Sequence, residues 1–322
     1  AAPGDGRTEQ RHSATISGMG SGVSDSDGAT LFKTYIAETD GDDEPDVRVG
    51  DVATWDLPAA EIDERGIVHT HACDDLSAVA AAVSAYDALL ALARTGHNVQ
   101  DVRLLFTRSE EIGFTGAIAA CKLKTMPKNA RVIALENSRS FADSPIGGGP
   151  IVRVGDRLTV FSPGLTAACA KRAGQIGTGR AGTLKWQRKL MAGGACEATV
   201  FCAYGYEATC LCLPLGNYHN MANQQDVMDK TYDAARLGPP RVGREFIAID
   251  DYYGLIDLLV AIGMELPEQD PVIEKIEALY AKHSFVLSEG QTSSPGGRRS
   301  GRGLEGSAGN AKRTRVASKA KK

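Results

Sequence analysis

The chain has 322 residues, 43% hydrophobic and 24% charged, with a net charge of −4 at neutral pH. That balance excludes a wholly disordered or fibrous chain, and the length suits one large or two medium domains that each bury a core. The longest apolar stretch, Gly254 to Met264, is interrupted by Asp257 and too short to span a bilayer, and no secretory leader pattern is visible, so a soluble, cytoplasmic protein without membrane contact is expected.

Along the chain, residues 30–36 and 47–49 read as short strands around an acidic loop at 38–46. Its spacing does not fit a calcium-binding loop, so a solvated turn is expected there. Residues 1–66 as a whole suggest a small β module with Gly and Asp turns. From Asp75 to Arg94 the apolar positions Leu76, Val79, Val83, Tyr86 and Leu90 step by three and four, which predicts a helix with one buried stripe, ended by Gly96. Val102–Phe106 reads as a strand, 113–121 as a helix and 131–135 as a second buried strand. Helices are expected over 163–173, 196–204, 248–263 and 271–282, with a strand over 208–213. Strands alternating with helices of this size predict an α/β fold: a parallel-rich mixed sheet with flanking helices, carried by residues 67–288.

The seven cysteines sit mostly among apolar neighbours, as buried free thiols do, and the count is odd, so no disulfide framework is expected and the compartment reads as reducing. Cys210 and Cys212 read as one face of a buried strand. Nine basic residues fall between Pro295 and Lys322 against one acid, a local balance of +8 that leaves −12 for residues 1–294. Residues 289–322 are therefore expected to form a disordered basic tail. No aromatic residues interleave its charges, which argues against nucleic acid as a partner.

Ligands of an open α/β sheet gather where strands end. Four such ends carry ionisable residues: Cys73-Asp74-Asp75, Ser109-Glu110-Glu111, Leu135-Glu136-Asn137 and Asn217-Tyr218-His219. Each has an ordinary explanation on its own. Asp74 could cap a helix, Glu110 and Glu111 could favour a helix dipole, and a lone His is commonly structural. Together, three carboxylates and an imidazole form a ligand set suited to zinc, cobalt or manganese, and a bound cation relieves the repulsion of adjacent glutamates.

These residues, in this order, resemble the co-catalytic di-metal exopeptidases, and among them the tetrahedral or deblocking, glutamyl-type aminopeptidases. The resemblance runs from about residue 47 to 264. It rests on Val49-Gly50-Asp51, Cys73-Asp74-Asp75, Glu110-Glu111-Ile112-Gly113-Phe114-Thr115-Gly116-Ala117, Leu135-Glu136, Gly148-Gly149-Pro150 and Tyr218-His219. It implies a parallel-rich α/β catalytic domain with a small β-barrel insertion, which suits residues 1–66. It implies two divalent metal ions, zinc first with cobalt or manganese open: Asp74 bridging, Glu111 and His219 on one ion, Glu136 on the other, and Glu110 as general base. Short peptides as substrate and a homo-oligomer are implied with it.

The chain also departs from the pattern. It lacks the family's His-x-Asp motif upstream of the bridging Asp, as though the first strands were missing, and His69 or His71 is a candidate substitute. Gly194-Ala195-Cys196-Glu197-Ala198 stands where Gly-Thr-Asp-Ala is usual, and Leu76 where Arg is common. Glu136 in place of Asp is more usual in carboxypeptidase and deacylase relatives. A metallo-carboxypeptidase or deacylase therefore stays open, as does a single-metal or non-catalytic relative.

Overall fold

A computed structural model describes residues 11–24, 26, 30–41, 45–176, 184–268 and 272–289. The chain divides into two compact units, 1–269 and 270–322. The first opens with the strands β1 (Ala14–Met19), β2 (Val23–Ser24), β3 (Thr30–Phe32) and β4 (Tyr35–Thr39), paired antiparallel as β1 with β4 and β2 with β3. The strand expected over 30–36 is thus two, and 47–49 is irregular. Residues 42–44 of the acidic loop, like the basic tail from 290, lie outside the described residues.

Next come β5 (Glu61–Ile62), β6 (Ile67–Thr70), α1 (Leu76–Arg94), α2 (Thr115–Lys122), β7 (Arg131–Arg139), β8 (Ile151–Asp156) and α3 (Pro163–Gln175). They are followed by β9 (Gln187–Met191), α4 (Glu197–Ala203), β10 (Glu207–Leu215), a 3-10 turn at Tyr218–Asn220, α5 (Gln224–Met228), α6 (Ala234–Leu237), β11 (Glu245–Ala248) and α7 (Ile249–Met264). The second unit contains α8 (Val272–His283) and α9 (Phe285–Glu289).

The central sheet has the order β7-β10-β8-β9. β10 runs parallel to β7 and antiparallel to β8, and β9 runs parallel to β8, giving the expected mixed sheet with parallel pairs in the majority. A second sheet, β11-β6-β5, is antiparallel. β10 organises the core through its two faces. Leu211, Leu213 and Leu215 pack with Leu165 and Cys169 of α3 and with Leu255, Leu258 and Ile262 of α7. Cys210 and Cys212 point the other way, toward Ile151, Phe161, Cys196 and Ala198. All seven cysteines are free thiols.

Two further expectations fail. α1 forms where expected, but its buried face is Ala78, Ala81, Ala82, Ala85 and Leu89, while Leu76, Val79, Val83 and Leu90 are exposed. The reason is close packing: α1 lies against α7, where a Cβ on Gly263 would come within 2.5 Å of Leu89, so small side chains line the contact. By length and composition α1 is also apolar enough to cross a membrane, which the sequence reading passed over. The second failure is Val102–Phe106, which is not a strand. Among the described residues no strand pairs with it, and Leu105 and Phe106 are exposed.

Candidate functional site

The ionisable residues singled out in the sequence converge beside β6, β7 and β10: Asp74 follows β6, Glu136 lies within β7, His219 follows β10, and Glu110 and Glu111 come from the turn ahead of α2. One carboxylate oxygen each from Asp74 and Glu111 and a ring nitrogen of His219 lie within 4.8 Å of one another. His219 Nε2 is 3.9 Å from Asp74 Oδ2 and 4.0 Å from Glu111 Oε2. A second set, Asp74, Asp75 and Glu136, meets within the same limit, so Asp74 belongs to both. The Asp74 side chain is 8% exposed, against 63% for Glu111 and 50% for His219. The shared carboxylate is therefore the floor of the site, and the other two are its open rim.

The ordinary explanations for these residues do not hold. The residue at the N-cap of α1 is Asp75, not Asp74, and its side chain makes no cap. Asp75 Oδ1 instead accepts the Asn137 N–H at 2.7 Å, tying the start of α1 to the end of β7. Glu110 and Glu111 lie ahead of α2, which has no acidic residue in its first turn. They sit in a turn bounded by Ser109 (φ 61°) and Phe114 (φ 60°), both in the left-handed region, where non-glycine residues are uncommon. The β10 end is stranger still: Asn217, His219 and Asn220 all have positive φ. Such backbone strain gathers at sites where structure over-determines a side chain's direction. Here it turns the His219 ring back toward Asp74, stacked on Tyr218 at 4.0 Å between centroids.

A cavity of about 410 Å³ opens over these groups. Its acidic wall is Asp74, Glu110, Glu111 and Glu136, with Tyr218 and His219 beside them. Arg157, Leu158 and Ala195 close the opposite side. Asp156 fixes that side by accepting the N–H groups of Leu158 (2.8 Å), Thr159 (3.0 Å) and Cys196 (3.1 Å).

Crowding of carboxylates shows in their acidities. Burial, then the neighbouring Glu111 and Glu245, pushes Asp74 up to about 6. Burial and the charge of Asp74 push Asp75 up to about 10, and burial with Glu111 and Glu197 pushes Glu110 up to about 7. Burial, followed by Asp75, raises Glu136 well above the usual carboxylate range. Carboxylates so placed hold protons unless a cation takes their place, so the donor set fits divalent metal ions. Asp74, Glu111 and His219 supply two oxygens and a nitrogen, a zinc- or cobalt-like set, while Asp74, Asp75 and Glu136 supply oxygens alone, suited to a harder ion. Beside Glu136 lies a buried cation, Arg153, with Nη1 at 3.8 Å and a buried Nε that finds no hydrogen-bond partner among the described residues.

Neither candidate substitute histidine joins these sets. His69 pairs with Asp63 at 3.4 Å and packs on the Phe246 ring, and His71 offers its carbonyl to Asn220. Three residues of the site have no role assigned from the sequence alone. Asp75 was quoted in the motif but given no ligand role. Arg153 sits between Val152 and Val154 in β8, a charge amid apolar neighbours that is its one sequence signal. Glu245 carries no sequence signal.

A model of the M42 glutamyl aminopeptidase family matches residues 32–232, more than half of the chain. No match was found among curated proteins. Among solved structures, an aminopeptidase from the archaeon Desulfurococcus kamchatkensis superposes with a TM-score of 0.51 at 18% identity, covering 68% of this chain and 54% of that one. A Pyrococcus horikoshii TET1 peptidase, described as assembling into a tetrahedron or a large octahedral shell, gives 0.46 at 20% identity over 65% and 53%. An M18-family aminopeptidase from Thermotoga maritima gives 0.44 at 15% identity over 66% and 50%. The chain thus spans about half the length of these three solved structures.

Proposed function

Because the chain belongs to the M42 glutamyl aminopeptidase family, we propose that it removes the N-terminal residue of short peptides by metal-dependent hydrolysis. The observation that carries this reading is the meeting of Asp74, Glu111 and His219, drawn from three distant parts of the chain, within 4.8 Å at one cavity. Those three residues would hold one divalent ion, and Asp74 with Glu136, aided by Asp75, would hold a second. When bound, such ions acidify a coordinated water and polarise a carbonyl. Glu110, which lines the cavity, would accept the proton of the attacking water and hand it to the leaving amine.

The finer assignments belong to the same proposal: zinc as the ion of the imidazole-bearing set, residues 1–66 as the β module, 67–288 as the catalytic domain, and assembly into a homo-oligomer. Seven free thiols favour a reducing, cytoplasmic setting. A second reading, a single-ion and non-catalytic relative, draws on the all-carboxylate second set, where no imidazole contributes among the described residues.

The test is an assay of metal-loaded protein against aminoacyl-anilides and N-blocked dipeptides, with Glu110→Gln as control. Turnover of the unblocked substrates, reduced at least about a hundredfold by Glu110→Gln, is expected. Cleavage of blocked substrates alone would move the assignment to a carboxypeptidase or deacylase. No turnover with metal bound would leave the non-catalytic reading.

A further inference from the structure

Glu245, at the first position of β11, is 2% exposed and forms no ion pair among the described residues. Its Oε2 accepts the Asp74 N–H at 3.0 Å, and the backbone N–H groups of Cys73 and Asn220 face the same carboxylate. These donors come from two separate segments. Cys73 and Asp74 end the β6 strand segment that carries the shared carboxylate of the site. Asn220 follows His219 in the strained turn after β10.

The surrounding contacts fix the carboxylate between these segments. Glu245 stands opposite Thr70 in the β11–β6 ladder, and the neighbouring Phe246 exchanges backbone hydrogen bonds with Gly216 at 2.9 and 3.2 Å. Asn220 Nδ2 reaches across to the carbonyls of His71 (2.7 Å) and Gly243 (3.1 Å). The bond from the Asp74 N–H to this buried carboxylate is charge-assisted, roughly twice as strong as a neutral one, and the other two N–H groups add their dipoles to it. The arrangement also forbids the two segments from separating, since parting them would strand the charge.

We propose that Glu245 is a positioning residue, a carboxylate staple that joins the Asp74 segment to the His219 turn and so sets the distance between those two side chains. The role depends on backbone N–H groups and on no metal contact of its own. Its consequence for metal affinity rests on the metal reading proposed above.

Two measurements separate the staple from that reading. In metal-free protein, amide hydrogen exchange reads the staple directly. Glu245→Ala is expected to speed exchange at Cys73, Asp74 and Asn220 by about tenfold or more, with α3 and β10 unchanged. In cobalt-loaded protein, residues that orient metal ligands typically contribute 10–100-fold to affinity. Glu245→Ala is expected to weaken Co(II) binding by about that factor and to alter the visible spectrum at saturation, which a loss of global stability alone would not do. Glu245→Gln keeps one acceptor oxygen and turns an amide NH₂ toward the donors, so it should fall between wild type and Ala in both readouts.

Wild-type exchange at all three amides in Glu245→Ala overturns the staple, as does faster exchange with unaltered Co(II) affinity and spectrum. If Glu245→Ala does not fold, wild-type exchange and affinity in Glu245→Gln overturn it instead. Should the wild type itself bind no Co(II), the metal reading fails and the exchange data alone decide the role of Glu245.

Discussion

Gly216 is where the fold leaves least room beside the site. It ends the β10 segment one residue before the strained turn that presents His219. A Cβ built there would lie 2.1 Å from Phe246 Cζ, 2.3 Å from Cε2 and 2.6 Å from Cε1. Carbon atoms rest about 3.5–4.0 Å apart, so Gly216→Ala requires a separation of about 1.5 Å. The ring is hemmed in by His69, 5.5 Å away between centroids, and its backbone is bonded to Gly216. Overpacking of this kind costs about 1–3 kcal/mol. Because Phe246 adjoins Glu245, the displacement should also open the spacing of Asp74 and His219. The expected result is a lower urea midpoint together with Co(II) affinity weakened by about tenfold or more. Gly174→Ala serves as the contrast: it lies inside α3, nothing stands within 4 Å of its Cβ position, and it should stabilise by up to about 1 kcal/mol. A Gly216→Ala protein as stable as wild type with unchanged Co(II) affinity would refute the reasoning.

The inverted face of α1 is tested by a pair of substitutions in chemical denaturation. Val83→Ser, at an exposed position, should change stability by less than about 0.5 kcal/mol, whereas Ala81→Leu, at a fully buried one, should cost about 1–3 kcal/mol; the reverse order would restore the stripe read from the sequence. Alkaline stability follows from Cys169, whose thiol burial pushes up to about 12 from a usual 9.0. The unfolded thiol ionises first, so this contribution is complete below pH 9 and is lost as pH rises toward 12, at up to about 1.4 kcal/mol per pH unit. Cys169→Ala should flatten that slope in urea midpoints measured from pH 8 to 11, and an unchanged slope would contradict it.

The elements most legible in the sequence were those whose pattern and packing coincide. Leu211, Leu213 and Leu215 alternate with Cys210 and Cys212 in β10, and each set meets its own layer. The helices α3, α4 and α7 likewise formed within a few residues of expectation. α1 misled because alanine ranks low as an apolar signal, yet a close helix contact selects it for size. β8 and β9 were missed for related reasons. Arg153 and Gly155 interrupt the apolar run of β8, and Gln187-Arg188-Lys189 gives the edge strand β9 a polar start.

At the site, Glu110, Glu111, Glu136 and His219 were legible through motif order; of the four only His219 follows a strand, since Glu136 lies within β7 and residues 102–106 ahead of Glu110 and Glu111 form none. Glu245 was not legible, because its role lies in three N–H groups that converge only once β11 pairs with β6. Nor could spacing reveal that His69 is engaged by Asp63 and Phe246, away from the ligand sets.

The most direct measurement is a crystal structure of zinc- or cobalt-loaded protein with anomalous data collected at the metal edge. A peak is expected about 2.0–2.2 Å from one oxygen each of Asp74 and Glu111 and from a ring nitrogen of His219. Metal-saturated protein with no peak among those three side chains, or with peaks only elsewhere on the molecule, would contradict it.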